Sequence, residues 1–413
     1  MAQYCLTILP RKTSLILSDK RTIIIRTHRR DVMILESLKP ETALKVKKYG
    51  YFIYLLPLLL PVSAWYGGTH TQGLNTLFAL LPMLVVFVIV PIVDLLLGKD
   101  PVNPDEDEVP EMSEHGFYRW LTLSCLPLYF LCIFSAGYFM LNWPGLSVLD
   151  QVLYTMSVGV VGGIIAINVG HELIHKNTKL EQISGGLLLS LVSYAGFKVE
   201  HVYGHHVHVS TPEDASSSRY NQSLYDFLPK AYYHNFKNAW KIQKQRMERK
   251  GQRFLGIKNE LIWYYLHTVL VAGLMGVFFE VLGASFWIGV GFFFLQSFIA
   301  FTELEVINYI EHYGLHRRKM STGKYERVTP EHSWNSNYFL TNMFLFQLQR
   351  HSDHHAFAAR RYQVLRHHEN SPQLPFGYAT MFTLAWFPPL WKAVMNPRVK
   401  AYYRDEEGVL SSS

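Results

Sequence analysis

The chain has 413 residues, of which 49% are hydrophobic, 15% aromatic and 17% charged. Soluble domains carry about a quarter charged residues, so this composition excludes a disordered chain, a coiled coil and an ordinary cytosolic enzyme. Net charge is +7 and mean hydropathy only +0.06, so apolar and polar residues must be segregated into blocks, with basic loops at a membrane rather than a nucleic-acid surface.

In chain order, residues 1–48 form a basic arm with eleven Lys and Arg. It shows no apolar core followed by small residues, so no cleavable signal is expected. Residues 1–32 read as a dispensable extension, since Met33 opens a stretch that looks like a natural beginning. From 49 to 413 a single integral membrane domain is predicted. Six uncharged runs are long enough to cross a bilayer, which needs about 20 apolar residues. They cover 49–66, 74–93, 120–141, 151–170, 261–279 and 281–302. Two more uncharged runs, 182–197 and 372–391, are too short or too proline-broken and are expected to lie at the membrane interface or to pack on the cytoplasmic portion. Connections 67–73 and 142–150 carry no Lys or Arg, whereas 171–260 carries thirteen. The positive-inside rule therefore places both termini and the segments 171–260 and 303–400 in the cytoplasm.

Three cysteines, Cys5, Cys125 and Cys132, are too few and scattered for a disulfide framework or an iron–sulfur cluster. The 19 histidines are the anomaly. Nine fall into four clusters: His171 and His175; His201, His205 and His206; His312; and His351, His354 and His355. Spacings of three and four residues put imidazoles on one face of a helix. All four clusters emerge on the same membrane side when six spans are counted. Imidazole suits iron, zinc, copper or nickel, and nine are more than one metal can take, so two metals are expected. A ligating histidine commonly passes its other N–H to a carboxylate. Glu172, Glu200, Glu213, Asp214, Glu305, Glu311 and Asp353 lie close enough in sequence to serve. His28, His70, His115, His234, His267, His367 and His368 read as ordinary polar residues. His208, His316 and His332 lie nearer the clusters.

The segments "HELIHK", "EHVYGHH", "TPED", "LEVINYIEHYGL", "HSWNSN" and "LQRHSDHHA" together resemble the membrane di-iron alkane 1-monooxygenases, from about Met33 to residue 400. The resemblance implies an all-α integral membrane protein with six transmembrane helices. It also implies a cytoplasmic site of two iron ions with nine His ligands. The implied reaction hydroxylates the terminal methyl of medium- to long-chain n-alkanes to primary alcohols, with O2 and electrons from rubredoxin, its reductase and NADH. A bacterial inner membrane is the implied location. Ala215 after "TPED" and Tyr220-Asn221-Gln222 depart from the family's usual wording.

An unactivated C–H bond offers nothing for acid–base or nucleophilic side chains, so the metals carry the chemistry and no general base is required. An alkane partitions into lipid and should enter an apolar tunnel between helices. Val86, on the second run, is its candidate wall. Relatives can carry a bulky aromatic near this place, so a deep tunnel and longer substrates are expected here. The basic stretches 237–253 and 315–319 are candidates for docking rubredoxin or for meeting anionic lipid. Two other readings stand beside this one: a di-iron fatty-acyl desaturase or a hydroxylase of another hydrocarbon, and a membrane zinc peptidase. The second rests on His171-Glu172-Leu173-Ile174-His175, which satisfies H-E-x-x-H.

Overall fold

The computed structural model describes residues 38–403 together with two short strands, Cys5–Ile8 and Leu15–Ser18, which pair antiparallel with Cys5 opposite Ser18. Apart from those strands, the expectation that residues 1–32 are dispensable falls outside the described residues. Everything else that forms a regular element is helical.

Among the described residues, five helices are long and apolar enough to cross a membrane: α1 (Glu41–His70), α3 (Val109–Leu141), α4 (Val148–Ile174), α8 (Glu260–Val281) and α9 (Phe286–His312). Between α1 and α3 lies α2 (Leu81–Leu97), apolar but only 17 residues long. The expected run 74–93 is thus not one helix. Pro82 has no N–H to return to Phe78, so the short helix Asn75–Ala79 stops and a new one starts at Leu81. The helical ends also differ from the apolar runs. Val281 closes α8, and Gly283, at φ +86°, makes the turn before α9. In the other direction, α4 and α9 continue past their uncharged stretches and carry His171 and His312 out on the same helices.

Lipid-type surface lies on the outer helices. Leu131, Val269 and Trp287 are 60%, 65% and 75% exposed. In contrast α4 is the central post, with most of its apolar stretch buried. Small residues let it touch α9 closely. A Cβ on Gly159 would come within 2.6 Å of the Gln296 carbonyl oxygen, so the two backbones could not sit as they do with alanine there. Close packing of α4 on α9 fixes His171 relative to His312.

Shorter helices roof this bundle. They are α5 (Lys179–Leu191), α6 (197–208), α7 (Leu224–Arg249), α10 (His351–Ala356), α11 (Tyr378–Ala385) and α12 (Pro388–Tyr402). The run 182–197 becomes α5 and packs against α4 and α8. Most of 372–391 becomes α11 and the start of α12, whose Trp391 is fully buried against Tyr309 and Tyr313.

Candidate metal centre

Three π-helical turns shape the site: Val85–Ile89 in α2, Gly163–Ile167 in α4 and His201–His205 in α6. Each adds a residue to a turn and re-aims the side chains after it, a device concentrated at functional sites. In α6 it brings His206 onto His201, five residues earlier. The rings of His205 and His206 stand at 87° to one another and serve different groups.

The nine clustered histidines gather into two groups whose potential ligand atoms lie within 4.8 Å of one another. His171, His175, His201, His206 and His354 form one group. His205, His312, His351 and His355 form the other. Both draw on α6 and α10, and each takes one long apolar helix, α4 for the first and α9 for the second. The groups adjoin, for the His206 and His355 rings stack at 4.4 Å.

The nitrogens behave as a ligand set would. Nε2 of His206 and of His201 are 3.0 Å apart, and Nε2 of His355 and of His351 are 2.8 Å apart. Further buried nitrogens have no hydrogen-bond partner: both of His171, Nε2 of His312 and of His354, and Nδ1 of His201. Lone pairs converging on one another in a dry interior need a shared cation. Burial holds His175, His201, His206, His351, His354 and His355 well below the usual imidazole pKa, reinforced by neighbouring imidazoles. Neutral imidazole is the form that binds metal. An all-nitrogen, carboxylate-buttressed set of this kind fits a non-haem iron centre.

Two of the sequence-derived carboxylates reach these imidazoles. Asp214 Oδ2 accepts from His205 Nδ1 at 2.8 Å, which leaves His205 Nε2 facing the four-histidine group. Burial opposes a charge on His205, but Asp214, Glu200 and Glu311 outweigh it and raise its pKa. Burial likewise opposes the Asp214 carboxylate, yet His205 and Ser217 hold its pKa down. Glu311 Oε2 lies 2.9 Å from His351 Nε2, while its other oxygen accepts from the Tyr378 hydroxyl at 2.7 Å.

The remaining candidates sit on other partners. Glu172 meets Lys176 at 2.9 Å and the Tyr362 amide at 3.1 Å. Glu200 accepts from Asn238, and burial followed by the Asp214 charge pushes its carboxyl up to about 8. Glu305 is held by Tyr194, Asn235 and Asn308. Asp353 takes two bonds from Arg360 and one from His368, the latter read from sequence as an ordinary polar residue. Glu213 is exposed. His332 bonds Glu326, and its carbonyl faces His312 Nδ1 at 3.4 Å.

Val86 lines an apolar cavity between α2, α4, α9 and α11 that His171 also lines. Ile164, Leu304, Phe344 and Phe382 form more of its wall. Sequence reasoning missed two polar residues on this wall, Asn168 and Glu303. A signal existed for both. Asn168 stands one helical turn before His171, and Glu303 is the residue that ended the uncharged run at 302. It also missed Arg350, fully buried just before His351, which pairs with Asp100 at 3.0 Å while Lys47 meets the same carboxylate at 2.8 Å.

With this geometry in view, the comparisons with known proteins are decisive. The fatty acid desaturase family matches residues 147–385, the stretch that holds all nine histidines. The "Alkane 1-monooxygenase 2" of Alcanivorax borkumensis is 56% identical over 374 residues, 90% of this chain and 96% of the relative. The protein of the same name from Pseudomonas aeruginosa is 54% identical over 91% of this chain and 98% of its own length. The chain belongs to the alkane 1-monooxygenase family. A more distant relative, the xylene/toluene monooxygenase hydroxylase component XylM of Pseudomonas putida, is 27% identical over 355 residues. Membership disposes of the peptidase reading, and so does the site. Five imidazoles converge where a zinc peptidase uses two and one more ligand, and Glu172 is tied to Lys176.

Proposed function

We propose that this membrane monooxygenase hydroxylates the terminal methyl of medium- to long-chain n-alkanes to primary alcohols, using O2 and electrons from rubredoxin. The single observation that carries the reading is the apolar cavity lined by both Val86 and His171. It has the composition an alkane requires and includes one of the metal-binding imidazoles in its wall. We infer two iron ions, one on the five-histidine group and one on the four-histidine group. Iron so held supplies the redox chemistry that an unactivated C–H bond demands.

The chain's own residues bind, orient and keep the site dry. Asp214 fixes the tautomer of His205, and Tyr378 fixes Glu311 against His351. The aliphatic and aromatic wall excludes water and takes the hydrocarbon chain, at about 0.8 kcal/mol per buried CH2. That energy changes little between neighbouring chain lengths, so length is selected by where the cavity stops, with Val86 in that wall. In this reading α2 serves as a sixth, shorter span. The histidine end and both termini then face the cytoplasm across a bacterial inner membrane. Rubredoxin, acidic in this proposal, meets the exposed basic face of α7, where Lys241, Lys244 and Arg249 stand clear of the fold.

The test is a paired assay on detergent-solubilised protein. Metal is counted by inductively coupled plasma mass spectrometry, and the same sample receives rubredoxin, its reductase, NADH and n-alkanes of graded length. Two irons per chain and 1-alkanols by gas chromatography are expected. Alkenes as product would transfer the reading to a desaturase, and one metal per chain would overturn the two-iron assignment.

A further inference from the structure

The cavity lined by His171 is walled mostly by hydrocarbon side chains; of the other polar residues on it, Thr341 bonds Asp94 and Tyr378 bonds Glu311, whereas Asn168 and Glu303 each keep an unpartnered atom. Asn168 is 5% exposed, lines the cavity, and its Nδ2 has no hydrogen-bond partner. Glu303 lines the same cavity from α9, and its buried Oε1 is also unpartnered. Glycine at 163 makes room for this carboxyl, since a Cβ there would lie 1.9 Å from Glu303 Oε2. Buried polar groups are nearly always paired, and an ionisable side chain at membrane depth marks a ligand or a pathway. Neither group is used by the metal-binding imidazoles.

The two stand at different depths. Asn168 is three residues from His171, about 4.5 Å along the helix, while Gly163, beside Glu303, is eight residues away, about 12 Å. A plain alkane satisfies neither group. A hydroxyl satisfies either one, accepting from the Asn168 amide or donating to a Glu303 carboxyl oxygen.

We infer that this cavity is also a binding site for primary alcohols, held through the hydroxyl by Asn168 or Glu303. It binds them more tightly than alkanes of the same carbon number. The inference rests on reading the cavity as the hydrocarbon channel. Its consequence for the reaction is that the alcohol formed is a competitor for the space in which it was made.

The experiment uses the iron-loaded protein in lipid nanodiscs, with ligand expressed per lipid so that partitioning into the bilayer cancels. The shift in thermal midpoint is followed with n-decane, 1-decanol and 1-methoxydecane, which accepts a hydrogen bond but cannot donate one. One hydrogen bond to a buried group corresponds to roughly five- to tenfold tighter binding of the alcohol than of the alkane. Asn168→Leu combined with Glu303→Leu should bring the 1-decanol response down to that of n-decane measured in the same variant. The single variants tell which station dominates, and Glu303→Gln, which still donates and accepts, should retain the preference. Should the double variant fail to fold, the wild-type comparison of alcohol with alkane decides alone. Equal responses to the two ligands in wild type, or an alcohol preference surviving in the double variant, overturn the inference and leave the channel standing. No response to either ligand overturns the channel reading as well.

Discussion

The two histidine groups are built from the same helices by different means. The five-histidine group lies beside the apolar cavity, includes the half-buried His175 and His206, and has no carboxylate bonded to its imidazoles among the described residues. All members of the four-histidine group are buried, and Asp214 and Glu311 are fastened to two of them. In the proposed reading the first holds a cation by number of ligands. The second, with one histidine fewer, has Asp214 behind His205 at Nδ1, while Glu311 meets His351 at Nε2, the nitrogen that also faces His355. The position next to the cavity is thus the more open of the two, and the buttressed position is the anchor.

Removing one ligand from each group breaks this comparison most sharply. If each group holds one iron, as proposed, His312→Ala should halve the bound iron and abolish alcohol formation, whereas His175→Ala should keep most of its iron, as metal analysis of the two proteins will show. The next largest effect is on folding. Asp100→Ala leaves Lys47 and the fully buried Arg350 unpaired just before His351. It should lower stability by about 3–5 kcal/mol in thermal or denaturant unfolding.

Asp214→Asn and Glu311→Gln sharpen the comparison without removing a ligand. Each should weaken iron binding about 10- to 100-fold, and only at the four-histidine group, read by competition with a chelator. Val86→Trp acts at the cavity instead. It should leave iron content unchanged and shift the products toward shorter alcohols, as seen in a gas chromatogram from mixed alkanes.

The smallest effect belongs to a pair that bonds none of the clustered histidines. Burial works against the Glu181 carboxylate, but Arg361 at 2.7 Å, Thr178 and Arg119 outweigh it and hold its pKa below the usual value. A lowered carboxylate pKa stabilises the folded state above the ordinary carboxylate range. That contribution fades as pH falls below about 4.5 and is gone once pH passes the depressed value. Glu181→Gln should cost about 1 kcal/mol at neutral pH, and the gap to wild type should close on acidification.

How much of this was legible beforehand differs from residue to residue. The nine clustered histidines were legible because spacing of three and four residues needs only local helix geometry. Asp214 and Glu311 were legible as candidates, but Glu172, Glu200, Glu305 and Asp353 looked equally good. Which carboxylate reaches an imidazole depends on side-chain directions across different helices, and sequence proximity does not encode them. The run 74–93 read as one span because hydropathy is blind to a missing N–H; Pro82 divides it. The run rule also discarded Glu303 by stopping one residue short of it.

By itself the sequence determined that the chain is a multi-helix membrane protein, that its imidazoles cluster for metal, and which family it resembles. Those properties are carried by composition, by local periodicity and by short contiguous motifs. Only the tertiary structure divided the nine histidines into five and four, because the π turn inside α6 brings His206 onto His201, five residues earlier, while His205 meets His355 and His312 from other helices. It alone put Val86, Asn168 and Glu303 on one cavity with His171. Three helices far apart in sequence must pack, two of them through glycine contacts, before any of those side chains can meet.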